Sequence, residues 1–162
     1  MGDQSRPDPD IRFEQEDLTH PDSVWCLDQY FAEINQRFVT GFDRNKGDTS
    51  TDGGFAPPTG AFLVARLAGK AVGCGGVAYR DGGFAEIKRM WVSDTARGQG
   101  LGYRLLLELE GIAHRAGYNL LRLDSNHALT EAHRLYRRCG YREFARYNDN
   151  PYAELWFEKN LT

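Results

Sequence analysis

The sequence predicts an α/β (α+β) protein in which a mixed sheet carries helices on both faces. Three observations lead there. Apolar residues recur at spacings of three and four in separate segments, the mark of amphipathic helices. Between these segments lie short apolar or alternating runs of strand length, bounded by glycine-rich turns. The order of the two patterns along the chain is strand, helix, three strands, helix, strand, helix, two strands.

Residues 1–10 contain Asp3, Arg6, Pro7, Asp8, Pro9 and Asp10 and read as a flexible tail ahead of a single domain at 11–162. Ile11 to Gln15 make a short strand. Thr19 or His20 then precedes Pro21, a residue suited to a first helical turn, where its missing N–H costs nothing. Val24, Leu27, Phe31, Ile34 and Phe38 give that helix one apolar face, and it is expected to end near Thr40 and Gly41. The stretch 41–60 is rich in Gly, Asp, Thr and Pro and has no apolar period. It is long for a loop inside a compact domain, and reads either as a mobile lid or acceptor-site loop or as a tolerated surface insertion.

Strand patterns follow. Ala61–Leu67 and Ala71–Tyr79 are apolar and separated by Gly69-Lys70, a hairpin signal, and Asp81-Gly82-Gly83 turns the chain into Phe84–Val92. Leu101, Leu105, Leu109, Ile112 and Ala116 describe a second helix, with Gly117 as its left-handed stop. Leu120–Asp124 is a short buried strand. Leu129, Ala132, Leu135, Tyr136 and Cys139 mark a third helix that Gly140 ends. Tyr141–Tyr147 and Ala153–Lys159 alternate as a closing pair of strands.

Bulk properties narrow the function. A chain of 162 residues can bury roughly 70% of its unfolded surface and needs no staples. A formal net charge of −3 argues against a nucleic-acid partner, which calls for a basic stripe. Cys26, Cys74 and Cys139 are scattered, with no CxxC or Cys/His ligand spacing. No metal site and no disulfide framework are expected, and reduced thiols fit a cytoplasmic protein. The first residues lack the apolar core of a signal peptide. No apolar run approaches the ~20 residues of a membrane span, so no membrane partner is expected.

The most informative segment joins the third meander strand to the second helix: Val92-Ser93-Asp94-Thr95-Ala96-Arg97-Gly98-Gln99-Gly100-Leu101-Gly102. Glycines at 98, 100 and 102 remove side chains where the backbone enters the helix. Amide N–H groups point outward there, with the positive end of the helix dipole behind them. Such a turn suits a phosphate or pyrophosphate, with Arg97 as a cation beside it. Equally, clustered glycines permit a tight junction and nothing more. The spacing is neither the dinucleotide fingerprint nor a P-loop.

Arg97-Gly98-Gln99-Gly100-Leu101-Gly102 resembles the Arg/Gln-x-x-Gly-x-Gly/Ala motif of the GNAT superfamily of N-acetyltransferases, and follows a strand ending Met90-Trp91-Val92. Asn126, Ala132, Leu135-Tyr136 and Gly140-Tyr141 are similar to that family's second signature. The resemblance spans roughly residues 11 to 160. It implies a mostly antiparallel sheet with a central splay between two parallel strands, here Phe84–Val92 and Leu120–Asp124. It also implies acetyl-CoA as cosubstrate. The pyrophosphate would lie on Arg97, Gly98, Gln99, Gly100, Leu101, Gly102 and Tyr103, and the pantetheine arm would pair with Met90, Trp91 and Val92 by edge addition.

The implied reaction is direct attack of a primary amine on the thioester. Tyr136 resembles the tyrosine that protonates the departing sulfur; otherwise it is a core aromatic. Glu86 matches the offset of the catalytic glutamate in the histone-acetyltransferase branch, and two-residue alternation places it on one strand face with Lys88, Met90 and Val92. Its alternatives are an ion-pair role beside Lys88 or an arginine, or replacement by ordered water. Asp124, His127 and His133 are weaker candidates for the base, His133 on the expected solvated face of its helix. Asn126 resembles a cofactor-contacting asparagine, although its spacing to Tyr136 exceeds the family's usual one, and it alternatively caps the next helix. Arg104 reaches a phosphate or is a surface charge. Acceptor-pocket candidates are Trp25, Tyr30, Phe31, Arg89, Trp91, Tyr147, Asn148 and Tyr152, which suit a small amine carrying a carboxylate, such as an amino acid. A non-catalytic acyl-CoA-binding module and a peptide or protein N-acetyltransferase are the alternatives, and a homodimer through the closing strands is compatible with the fold.

Overall fold

The computed structural model describes residues 10–43 and 54–162. The expected tail, but for Asp10, and the middle of the 41–60 loop lie outside the described residues. The elements are β1 (Ile11–Gln15), α1 (Pro21–Arg37), β2 (Gly60–Leu67), β3 (Lys70–Arg80), β4 (Phe84–Val92), α2 (Leu101–Arg115), β5 (Leu120–Ser125), α3 (Thr130–Arg138), β6 (Arg142–Glu143) and β7 (Leu155–Asn160). They form a 7-stranded sheet in the order β1-β2-β3-β4-β5-β7-β6. Only β4 and β5 run parallel; the other neighbours are antiparallel.

Local chemistry explains the boundaries. His20 caps α1, its Nδ1 accepting from the Asp22 amide at 3.0 Å, and Pro21 occupies the first turn. The helix ends at Arg37, short of the expected Thr40. The backbone turns extended at Phe38, which carries that buried ring into contact with Phe42 and Tyr152. The first hairpin turns on Ala68 and Gly69 (φ 51° and 84°), so Lys70 is the first residue of β3 rather than a turn residue. Positive φ at both loop positions matches the right-handed twist of the strands.

One apolar layer packs Leu105, Leu106 and Leu109 of α2 against Leu63, Val77, Ile87, Leu121 and Leu123 of the sheet. On the opposite face Cys26 and Leu27 of α1 meet Phe55, Phe62, Val64, Ala78 and Trp91. The expected closing strand at Tyr141–Tyr147 stops at Glu143. Beyond it, Tyr147 and Asn148 turn their polar ends in toward Glu86 and Asp124, which takes the backbone out of strand register.

Two irregularities of β4 shape the site. Cys74 pairs with Trp91 but Gly76 with Lys88, so β4 carries an extra residue at a bulge, where Arg89 has φ 60°. A bulge reverses the alternation beyond it. Glu86 and Lys88 therefore point to the α1 side, while Met90 and Val92 point to the α2 side, where they pack on the main core. The single face expected for Glu86, Lys88, Met90 and Val92 does not exist. The second irregularity is the short parallel ladder. It pairs Ala85 with Leu121 and Glu86 with Arg122 and goes no further, so the strands diverge toward their C-terminal ends.

Candidate active site

That divergence opens into a cavity of about 740 Å³ that runs from the glycine turn through the splay to α1. At one end lies the junction of β4 and α2. Ser93 caps a short 3-10 turn at Asp94–Ala96, and Arg97 donates from Nε to the Val92 carbonyl at 3.0 Å. Gly98 and Gly100 have φ 82° and 72°, and Gly100 is the N-cap of α2 without a side-chain cap. The first amides of α2 therefore have neither intrahelical nor side-chain acceptors. A Cβ at Gly98 or Gly100 would meet nothing within 4 Å, so these glycines answer a backbone requirement and leave open space above the turn. Arg97, Gly98, Gly100, Leu101, Gly102 and Tyr103 line the cavity; Gln99 does not. Arg104 is stacked on Phe13, 5.5 Å from the ring, and is also absent from the lining.

The middle of the cavity is walled by Met90, Trp91 and Val92 of β4 and by Asp124 and Ser125 of β5. The ladder between β4 and β5 ends at Glu86, so Met90 to Val92 run along the cavity without a partner strand on that side. From α3, Leu135 and Tyr136 face in. Tyr136 is 8% exposed, and burial together with the Asp124 charge pushes its phenol well above the usual tyrosine range. It stays protonated at ordinary pH and keeps a proton to give. Asp124 Oδ2 accepts from Lys88 (3.3 Å), Asn148 (2.6 Å) and Asn150 (3.2 Å).

At the far end stand Tyr30, Phe31 and Phe42, with Arg89 projecting from the bulge. The Arg89 guanidinium lies 5.3 Å from the Phe31 ring centroid and 5.1 Å from that of Phe55. Burial and Asp124 raise the Tyr30 phenol as well. A chain of ion pairs crosses between α1 and the other walls. Arg97 pairs with Glu33, Glu33 with Arg37 at 4.0 Å, and Arg37 with Glu131 of α3 at 2.6 Å.

Several expected site residues are elsewhere. Glu86 is 3% exposed, absent from the cavity lining, and enclosed by donors. Arg80 pairs with it at 2.9 Å, Asn148 donates at 3.2 Å, and the Tyr147 hydroxyl donates as well. Its carboxylate is thus ion-paired with Arg80 of β3. Asn126 also turns away from the cavity: Nδ2 donates to the Tyr152 carbonyl at 3.0 Å, and Oδ1 accepts from the Ala128 amide at 3.0 Å. It shapes the turn before α3 without capping it, since the N-cap is Leu129. His133 is not solvated but 6% exposed, its Nε2 lying 2.9 Å from Ser125 Oγ. Of the acceptor candidates, Tyr30, Phe31, Arg89 and Trp91 reach the cavity, whereas Trp25, Tyr147, Asn148 and Tyr152 do not. Glu33, Ser125 and Asn150, which line it, carry no motif signal; the packing of α1, the splay and the folded 144–154 segment bring them in. Among the described residues no group of three or more His, Cys, Asp or Glu could hold a metal ion. No helix among them is long and apolar enough to cross a membrane.

The family model described as "Acetyltransferase (GNAT) domain" matches residues 58–143, which contain β2 to α3, the splay and the glycine turn. The chain belongs to the GNAT acetyltransferase family. Among curated GNAT relatives, it is 41% identical over 110 residues to an IAA acetyltransferase of Azospirillum brasilense, covering 65% of this chain and 71% of that protein. An uncharacterized N-acetyltransferase of Schizosaccharomyces pombe is 37% identical over 99 residues, 60% of this chain and 61% of that one. Solved structures share the GNAT fold at low identity. A GNAT-family acetyltransferase from Staphylococcus aureus superposes with a TM-score of 0.79 at 18% identity, covering 94% of this chain and 99% of that one. One from Elizabethkingia anophelis, with acetyl-CoA bound, gives 0.68 at 16% identity, covering 93% and 98%. The mixed 7-stranded sheet with its parallel β4–β5 pair is thus the fold of these acetyltransferases.

Proposed function

We propose that this chain transfers the acetyl group of acetyl-CoA directly to the primary amine of a small, amino-acid-like molecule. The observation that carries the reading is the single cavity joining the uncapped start of α2, the open edge of β4, the Tyr136 phenol and the Arg89 end. Those features fit acetyl-CoA part by part. Amides of Leu101, Gly102 and Tyr103, with Arg97 beside them, suit the pyrophosphate. The backbone of Met90 to Val92, which has no partner in β5, suits the amides of the pantetheine arm. Bound there, acetyl-CoA supplies an activated acyl group and a thiolate leaving group.

The chain's own residues do the rest. Tyr136, held protonated by burial and by Asp124, donates its phenolic proton to the leaving sulfur. Glu86 is a positioning residue, fixing Arg80, Tyr147 and Asn148 behind the splay. Arg89 and the rings of Tyr30, Phe31 and Trp91 provide a cation and apolar walls for an acceptor with a carboxylate.

The test is a thermal-melt titration with acetyl-CoA against ATP and NAD, followed by an amine panel read by thiol release. Ligand at ~100 times its Kd stabilises by about 2.7 kcal/mol, which is roughly 5–11 °C for a domain of this size. Stabilisation by acetyl-CoA alone, and turnover with amino acids ahead of polyamines and peptides, is expected. No shift at saturating acetyl-CoA would sink the cofactor assignment; turnover only with peptides or polyamines would sink the acceptor class.

A further inference from the structure

The acetyl-transfer reading lacks a proton acceptor for the amine, because Glu86 is enclosed by donors and off the cavity wall. We propose that Ser125 and His133 form a proton relay for that step, Ser125 contacting the amine and His133 acting through it. The inference rests on the acetyl-transfer reading.

Ser125 ends β5 and lines the cavity wall between Asp124 and α3. Its alternation with Leu121 and Leu123 turns it to the α3 side. His133 lies behind it, absent from the lining, and Ser125 Oγ is 2.9 Å from its Nε2. A cavity-lining serine thus has its hydroxyl against an imidazole, both residues nearly buried (8% and 6% exposed). The Asn126 backbone lies beside the ring as well. In the neutral tautomer with its proton on Nδ1, Nε2 accepts from the Ser125 hydroxyl, and this is the arrangement the relay uses. The Phe157 ring of β7, 5.8 Å away, fixes the imidazole plane from the other side.

The surroundings favour a neutral ring. Burial lowers the tendency of His133 to take a proton, the Arg137 charge of α3 lowers it further, and His127 adds to this; the Asn126 backbone and Glu131 oppose it. The ring is therefore a free base at neutral pH, ready to accept a proton from the cavity.

The step balances. The amine nitrogen bonds to the acetyl carbonyl carbon and the carbon–sulfur bond breaks. The proton shed by nitrogen passes to Ser125 Oγ as the Ser125 proton passes to His133 Nε2, giving imidazolium. The thiolate takes the Tyr136 proton. Imidazolium then returns its proton to the Tyr136 oxygen through Ser125 and water in the emptied cavity. The net change moves one proton from nitrogen to sulfur. Tyr136 lies on the same helix as His133, one turn on, and lines the same cavity.

The experiment compares wild type with Ser125→Ala and His133→Gln for stabilisation by acetyl-CoA and for kcat across pH, using acceptors of graded amine pKa. Nitrogen NMR of the wild-type imidazole is recorded alongside. Both variants are expected to keep acetyl-CoA stabilisation within a few degrees of wild type and to lose roughly 100-fold in kcat. With an acceptor whose amine stays neutral across the pH range, the acid limb of the wild-type profile should be absent in His133→Gln. The deficit should persist for amines already neutral at the assay pH, because the proton shed as the carbon–nitrogen bond forms still needs the relay. The wild-type spectrum should show an unprotonated Nε2 at pH 7. Variants within threefold of wild type, a retained acid limb, or a protonated Nε2 would each overturn the relay. A wild type that neither binds acetyl-CoA nor turns over any amine is a different result, and retires the acetyltransferase reading itself. If His133→Gln does not fold, Ser125→Ala and the wild-type spectrum decide.

Discussion

Replacing Glu86 by Gln separates a catalytic glutamate from a structural one. The carboxylate is 3% exposed and takes charge-assisted contacts from Arg80, through Nε at 3.0 Å and Nη2 at 2.9 Å, besides bonds from Asn148 and Tyr147. A glutamine of the same shape offers one oxygen and an NH₂ that faces donors instead of accepting from them. Breaking a buried ion pair by removing one partner costs about 3–5 kcal/mol, because the other charge stays behind. The Arg80 side chain keeps 23% exposure, so residual hydration puts the cost near the low end, about 3 kcal/mol. For a domain of this size that is a fall of roughly 6–12 °C in Tm. The assay pairs urea and thermal melts with kcat and its pH profile, taken well below the variant's Tm. The expected variant is clearly destabilised, with a modest loss of kcat and an unaltered acid limb. A Tm within about 2 °C of wild type together with a 100-fold loss of kcat would refute the reasoning and return Glu86 to the role of base.

Tyr136→Phe should lower kcat by about 100-fold while leaving the Tm and the acetyl-CoA shift nearly unchanged. Because burial and Asp124 raise the phenol above its ordinary range, wild-type kcat should show no alkaline loss from this group below about pH 10. Gly102→Ala should raise the Tm of the free protein, by up to about 1 kcal/mol of helix propensity, since its Cβ meets Leu135 only at 3.4 Å. The same methyl would stand in the cavity wall and raise KM for acetyl-CoA, and equal KM values would contradict the placement of the pyrophosphate. The Arg37 hydrogen bond and charge lower the Glu131 carboxyl to about 2. A depressed folded-state value stabilises above the unfolded value near ~4.3, and the contribution disappears as pH falls toward 2. Glu131 is 57% exposed, so Glu131→Gln should cost less than about 1 kcal/mol at pH 7, vanish in high salt, and flatten the acid limb of a melting curve.

Much of the architecture is written in local pattern. The apolar stripe Leu101, Leu105, Leu109, Ile112, the left-handed glycines at 117 and 140, and the run Phe84–Val92 each determine an element within a few neighbouring residues, and α2, α3 and β4 follow them closely. The turn from Arg97 to Gly102 is equally local: positive φ at Gly98 and Gly100 is a property of backbone geometry that the glycines declare in the sequence. What depends on contacts far apart in the chain was decided by the tertiary structure alone. The bulge at Arg89 arises where β4 must pair with β3 while leaving β5, and it reverses the faces of Met90 and Val92. The partners of Glu86 come from the 144–154 segment and β3, and those of His133 from β5 and β7. Side-chain periodicity states which face a residue occupies; it cannot state which distant donor will be folded against that face. For that reason Glu86 read either as a base or as an ion-pair partner and His133 as a solvated imidazole, when the packed sheet encloses the first and buries the second behind Ser125.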